Sequence, residues 1–155
     1  MHPNGELLTR LFSGLDTHDH QAMAACYHEK ATFSDIAFEL QGKTRIHAMW
    51  HMISEGDIRT TFKVDEVDDH TAFVSVVDDY TFRSTGHKVH NKIESHFRFD
   101  KGLIIQQRDV CDAKAWAGMA LGGMSGVLAG RLRFLRQRKA QATLDTFVAT
   151  HPQYK

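Results

Sequence analysis

The sequence predicts an α+β fold, with helices near the start of the chain packed on one face of a largely antiparallel sheet. Three observations carry this expectation. Leu7, Leu8, Leu11, Phe12 and Leu15 recur at helical spacing, and Ile46, Met49, Trp50 and Ile53 repeat the i, i+3, i+4, i+7 pattern of a single helical face. From Ile58 to Cys111 the period changes to two, and short turn signals divide the stretch into consecutive strands. Apart from one short strand among the early helices, the strands thus follow one another without intervening helices, which is the order of an α+β domain.

Taken in order, the first helix is expected from about Gly5 to Leu15, and Asp16 to Asp19 breaks it. Asp19 can cap a second, short helix ending near Cys26, because its carboxylate can accept the orphan N–H groups of a first turn. A short apolar strand, Ala31 to Phe33, runs into a lone Asp35, and an irregular stretch then leads to Gly42 and the helix bearing Trp50. An acid at a strand end, facing a helix that carries an aromatic, is how an apolar pocket acquires one reactive group. Asp also stands in such places simply to turn the chain, and both readings apply to Asp35.

After Gly56 and Asp57 the strands are Ile58 to Val67, Thr71 to Arg83, Lys88 to Phe99 and Leu103 to Cys111. Turns at Asp68 to His70, Ser84 to His87 and Asp100 to Gly102 separate them. In the third strand the alternation places Val89, Asn91, Ile93, Ser95, Phe97 and Phe99 on one face and His90, Lys92, Glu94, His96 and Arg98 on the other. Pairing through the Ser84 turn puts Val74, Val76, Asp78, Tyr80 and Phe82 inward beside Asn91 and Ser95, whereas a one-residue slip would turn Asp79 inward instead. The last strand is expected to face inward through Leu103, Ile105, Gln107, Asp109 and Cys111. Asp109 is then a second acid beside Asp35. Two carboxylates in unequal surroundings can have their pKa values pushed apart, so that one serves as base and the other as acid.

His90, Glu94 and His96 share a strand face, as metal ligands would. They share it with Lys92 and Arg98, whose charge repels a cation, and the 11 histidines of the chain show no HExxH or Cys-His spacing. Neither a metal nor a cofactor is expected.

The length of 155 residues suits one domain, and 19 basic against 19 acidic side chains give no electrostatic reason to expect nucleic acid or an anionic membrane as partner. The opening residues lack a basic region followed by an apolar run, and Cys26 and Cys111 both fall in apolar settings as buried, inert thiols; a cytoplasmic protein is expected. Residues 113–155 form a C-terminal extension expected to be helical and packed on the domain of residues 1–112. Its uncharged run, Ala115 to Gly130, is short of the ~20 residues that span a bilayer. Trp116, Met119, Leu121, Met124, Val127 and Leu128 are available to cover a pocket mouth or meet a partner. In the final helix Leu132, Leu135, Ala142, Leu144, Phe147 and Val148 are expected toward the body, with Arg131, Arg133, Arg136, Arg138 and Lys139 as a solvated basic start.

The stretch with Tyr27, Ala31-Thr32, Phe33, Asp35, Gly42, Lys43, Ile46 and Met49-Trp50 resembles the nuclear-transport-factor-2-like superfamily, which includes ketosteroid isomerases, SnoaL-like polyketide cyclases and limonene epoxide hydrolase. The resemblance extends over the order of elements. It implies a cone-shaped barrel, a strongly curved, mostly antiparallel sheet wrapped around the N-terminal helices, and a homodimer through the outer face of the sheet.

Matched residue by residue, Asp35 falls where ketosteroid isomerases keep the general base, and Tyr27 and Trp50 fall among their pocket aromatics. Their oxyanion donors are not matched: Leu11 or Phe12 stands for the tyrosine and Ser95 for the protonated aspartate. The Arg-x-Asp pair of limonene epoxide hydrolase also has no counterpart, Arg83 and Arg98 both falling on the outward face. Asp109 resembles the strand aspartate that is acid/base in SnoaL-like cyclases, with Asp112 as the alternative. What the resemblance implies is a pocket for a small hydrophobic molecule carrying a carbonyl or hydroxyl group, with Asp35 and Asp109 as catalytic acid/base. Tyr27, Trp50, Asp78, Tyr80, Asn91, Ser95 and Phe97 then bind the substrate. Isomerisation, cyclisation or dehydration are the matching reactions; the alternative is a non-catalytic ligand-binding or dimerisation module.

Overall fold

Helix α1 (Pro3–Asp16) begins where proline is best tolerated, at the first turn, and the His2 ring accepts the Asn4 N–H at 3.0 Å. In this computed structural model, which describes residues 1–123 and 133–155, Leu8, Leu11 and Leu15 on its inner face are sealed from solvent. Asp19 caps α2 (His20–Ala24) by accepting the Ala22 N–H at 3.0 Å, as its position in the sequence leads one to expect.

Strand β1 (Tyr27–Ser34) is longer than the apolar core of Ala31 to Phe33, and the stretch expected to be irregular contains a short β2 (Glu39–Gln41) paired antiparallel to it, with Phe33 opposite Leu40. Three residues are too few to display a period, so only pairing reveals β2. Gly42 then turns into α3 (Lys43–Ser54) at φ +93°, a backbone region open mainly to glycine. Ile46, Met49 and Trp50 are buried on the face predicted, and Ile53 is partly buried.

β3 (Arg59–Val67), β4 (Thr71–Phe82), β5 (His87–Asp100) and β6 (Leu103–Cys111) complete one six-stranded sheet in the order β2-β1-β6-β5-β4-β3, parallel only between β1 and β6. The β4–β5 register pairs Asp78 with Asn91 and Val74 with Ser95, which turns Asp78 inward and leaves Asp79 exposed. One expectation fails on β6. The ladder runs Phe97 to Gln107 and Arg98 to Gln106, then jumps to Phe99 with Ile104, so Ile105 is left over in a bulge. Ile104, fully buried, therefore takes the inward place assigned to Leu103 and Ile105.

Beyond the sheet, α4 (Ala113–Leu121) lies on β5, and its Trp116, Ala117 and Ala120 pack with Val89 as a second apolar cluster. Helix α5 (Arg133–Ala149) and a 3₁₀ turn at Pro152–Tyr154 return to α3. Leu144 and Phe147 are buried there, but Leu135 is 46% exposed and Ala142 is also outside, because α5 touches the body mainly through its second half. The expectations for Met124, Val127, Leu128, Arg131 and Leu132 lie outside the described residues. Among the described residues, no helix is long and apolar enough to cross a membrane.

Candidate functional site

The pleat brings chemistry to the inner face because successive inward residues of neighbouring strands stand side by side. One cross-strand row is Val64, Val74, Ser95 and Asp109; the next is Phe62, Val76, Ile93 and Cys111; a third is Thr60, Asp78 and Asn91. Polar groups thus occupy both ends of an otherwise apolar surface.

Asp109 ends a directed chain of donors. Trp50 Nε1 donates to Tyr27 Oη at 3.0 Å, Tyr27 Oη to Gln107 Oε1 at 2.5 Å, and Gln107 Nε2 to Asp109 Oδ1 at 3.1 Å. Ser95 Oγ adds a second bond to the same oxygen at 2.7 Å. With both bonds on Oδ1, a proton on this carboxyl is carried by Oδ2. Burial pushes the Asp109 pKa up to about 7; the bonds from Ser95 and Gln107 oppose this, and the charges of Asp35 and Asp78 add to it.

Asp35 does two things at once. Its Oδ1 accepts the N–H groups of Ala37 and Phe38, each at 2.7 Å, so it does form the turn that aspartate often forms at such a place. Burial nevertheless raises its pKa, against those two bonds and against the positive charge of Arg136. Asp78 accepts from Thr60 Oγ1 at 2.5 Å, and burial pushes it up to about 6.

Tyr80 accepts from Trp116 Nε1 at 2.7 Å, and burial raises its phenol to about 12. Asn91 is buried, and burial raises the Cys111 thiol against the lowering influence of the Asn91 amide. Cys26 and Cys111 are both free, and Cys111 is partly accessible on the inner face rather than sealed as expected. Phe97 faces inward but belongs to the solid core, its ring edge-on to Phe12 and stacked with Phe99. Asp112 is an N-cap, accepting the Ala115 N–H at 3.0 Å.

Gln107, Thr60, Trp116 and Arg136 were not among the sequence-derived site residues. Gln107 and Thr60 alternate inward, which was a usable signal; a buried glutamine must be bonded, and here it is. Arg136 gave no such signal within its basic run. Its Nε donates to the Ile36 carbonyl at 2.6 Å, next to Asp35, so it is not merely part of a solvated face. On the outer face His90 pairs with Asp79 at 2.6 Å and His96 lies 3.8 Å from Glu94, so these three residues are not gathered around one point.

Asp35, Asp109, Ile93, Cys111 and Tyr80 point inward, yet each keeps some accessible surface. Two hollows among the described residues lie elsewhere. One of about 420 Å³ is lined by Phe73, His96 and Arg108 on the sheet, and one of about 390 Å³ by Pro3, His70 and Lys101 at the base of α1.

No curated protein matches the chain by sequence. Solved structures do match in fold. A protein from a Silicibacter species described as a polyketide cyclase superposes with a TM-score of 0.69 at 17% identity, over 77% of this chain and 96% of its own. One from Rhodopseudomonas palustris described as an isomerase gives 0.65 at 16%, over 79% and 98%. An LEH-like epoxide hydrolase of M. tuberculosis gives 0.61 at 15%, over 86% and 95%. At these identities the likeness is one of fold, the cone of the nuclear-transport-factor-2-like proteins. The model of the SnoaL-like domain matches residues 8–107, and the chain belongs to that family.

Proposed function

We propose that this protein binds a small hydrophobic molecule with a carbonyl or hydroxyl group between its helices and the inner face of its sheet. There it moves a proton without a cofactor, as a cofactor-independent isomerase, cyclase or dehydratase does. The observation that carries this reading is Asp109: a largely buried carboxyl, aimed inward and anchored through one oxygen, whose pKa burial pushes up to about 7. A general acid/base works best when its pKa is close to the working pH, and this one is.

Asp35 is the complementary group. The Ala37 and Phe38 N–H groups and the Arg136 charge favour its anion, whereas Asp109 has hydroxyl and amide donors only. Burial raises both carboxyls, and Asp109 is the one that lacks a cationic neighbour to oppose it. Partial accessibility at Ile93, Cys111, Tyr80 and the two acids supports a hollow at their centre, since a solid interior would seal the middle of β5 on its inward side. Tyr27, Trp50, Asp78, Asn91 and Ser95 hold that wall in place and supply its polar points. The same reading takes the protein as a homodimer through the outer sheet face, which size measurement by light scattering tests directly.

The decisive experiment follows deuterium wash-in from D₂O at carbons next to the carbonyl in a panel of hydrophobic ketones, by NMR. Exchange above the buffer rate, reduced about 10²–10⁴-fold in Asp109→Asn, is the expected result. Equal exchange in the variant, or none with any ketone while ligand binding persists, would leave the non-catalytic module as the right reading.

A further inference from the structure

The histidines look scattered along the chain, but the fold gathers several of them where α3 meets α2 and the C-terminal segment. His51 and Glu55 stand one helical turn apart, and the C-terminal segment brings His151 to the same point. Ligand atoms of these three residues lie within 4.8 Å of one another; His51 Nε2 is 3.8 Å and His151 Nε2 3.9 Å from Glu55 Oε1. We propose that His51, Glu55 and His151 bind one divalent transition-metal ion of the zinc class, which clips the C-terminal turn to α3.

The hydrogen bonds at the far side of each ring point to this. His151 Nδ1 lies 2.7 Å from the Phe147 carbonyl, a group that only accepts, so Nδ1 carries a proton and Nε2 is the nitrogen turned to Glu55. His51 Nδ1 likewise meets Tyr154 Oη at 2.8 Å, and its Nε2 faces the same carboxylate. A ligating histidine is normally held in this way by a bond from its other nitrogen. Stacking fixes both rings as well: His20 lies on His51 and Phe147 on His151, each at 3.8 Å between centroids. Both Nε2 atoms thus border the same Glu55 carboxylate, the arrangement of a two-histidine, one-carboxylate ligand set.

Two nitrogens and one carboxylate suit zinc, cobalt or nickel and not magnesium or calcium, which prefer all-oxygen shells. Around a zinc ion bound at ~2.0–2.1 Å, ligand atoms stand roughly 3.3 Å apart, so closure needs the three side chains to draw together by about half to one and a half ångströms. The half-open position of Glu55 leaves a place for water as the fourth ligand.

Titration calorimetry of the full chain with ZnCl₂, checked by the visible absorption of the Co²⁺ form, tests the assignment. One ion per chain is expected, with affinity at least tenfold weaker in His151→Ala and in Glu55→Gln and unchanged in His90→Ala. Glu55→Gln keeps the size of an exposed side chain, so its folding, followed by circular dichroism, is not at issue. Absence of zinc uptake, or uptake indifferent to both substitutions, overturns the proposal.

Discussion

Ser95 and Asp109 stand directly opposite each other on β5 and β6, and Ser95 Oγ donates to Asp109 Oδ1 at 2.7 Å from a position sealed from solvent. The bond favours the anion, so Ser95→Ala removes a restraint on protonation. The Asp109 pKa, about 7 in the unmodified chain, is expected to move up by roughly one pH unit. Carboxyl ¹³C titration measures it; an unmoved or lowered midpoint would show that Ser95 does not hold the anion.

Asp109 also makes stability depend on pH. Unfolded, its carboxyl titrates near ~3.9; folded, it keeps its proton up to about 7. Between these values the folded state binds the extra proton, so stability is lost as pH rises through the window and levels off above it. Asp109→Asn lacks this loss. From pH 5 to pH 8.5 the variant should gain about 1–3 kcal/mol relative to the unmodified chain in urea unfolding. Parallel stability curves for the two proteins would contradict the buried, neutral carboxyl.

Arg136 works at long range in sequence and short range in space. Its charge lowers the Asp35 pKa while its Nε holds the Ile36 carbonyl. Arg136→Gln should therefore raise the Asp35 midpoint further and speed amide exchange along α5. A change in α5 without one in Asp35 would make the arginine a tether only.

Tyr27 is the hub through which Trp50 reaches Gln107. Tyr27→Phe keeps the ring and strands two buried partners, at a cost of about 1–3 kcal/mol in unfolding free energy. A double-mutant cycle with Gln107→Leu should recover part of that loss, since the leucine needs no donor; strictly additive costs would mean that the bond contributes nothing.

Trp116→Phe likewise removes the Nε1 donor to Tyr80. That bond opposes burial, so the Tyr80 phenol, at about 12, should titrate higher still in an ultraviolet pH titration. A lower midpoint would mean that losing the indole opens the site to water, which outweighs the bond.

Much of this fold was legible in the residues. The apolar faces of α1 and α3, the Asp19 cap, the β4–β5 register and the inward positions of Asp78, Asn91, Ser95 and Asp109 all follow from periodicity, because a half-buried element must keep its apolar side to the core. Ile104 was misplaced because a bulge, which skips one residue without altering the apolar run Leu103 to Ile105, leaves no mark on composition. The exposed side chains of Leu135 and Ala142 have a different cause: a helix that docks through its second half has no reason to keep one continuous stripe.

What the sequence by itself determined is therefore the set of local choices: which segments are helix or strand, and which side of each is oily. Which distant groups would meet was decided by tertiary structure alone. Arg136 beside Ile36, Gln107 beneath Tyr27, and His151 beside His51 and Glu55 are partners about 80 to 100 residues apart. No period in the chain encodes such pairs. They exist because the sheet and the returning α5 close around one core, and ionisable groups crowded there have their proton affinities set by neighbours rather than by residue type.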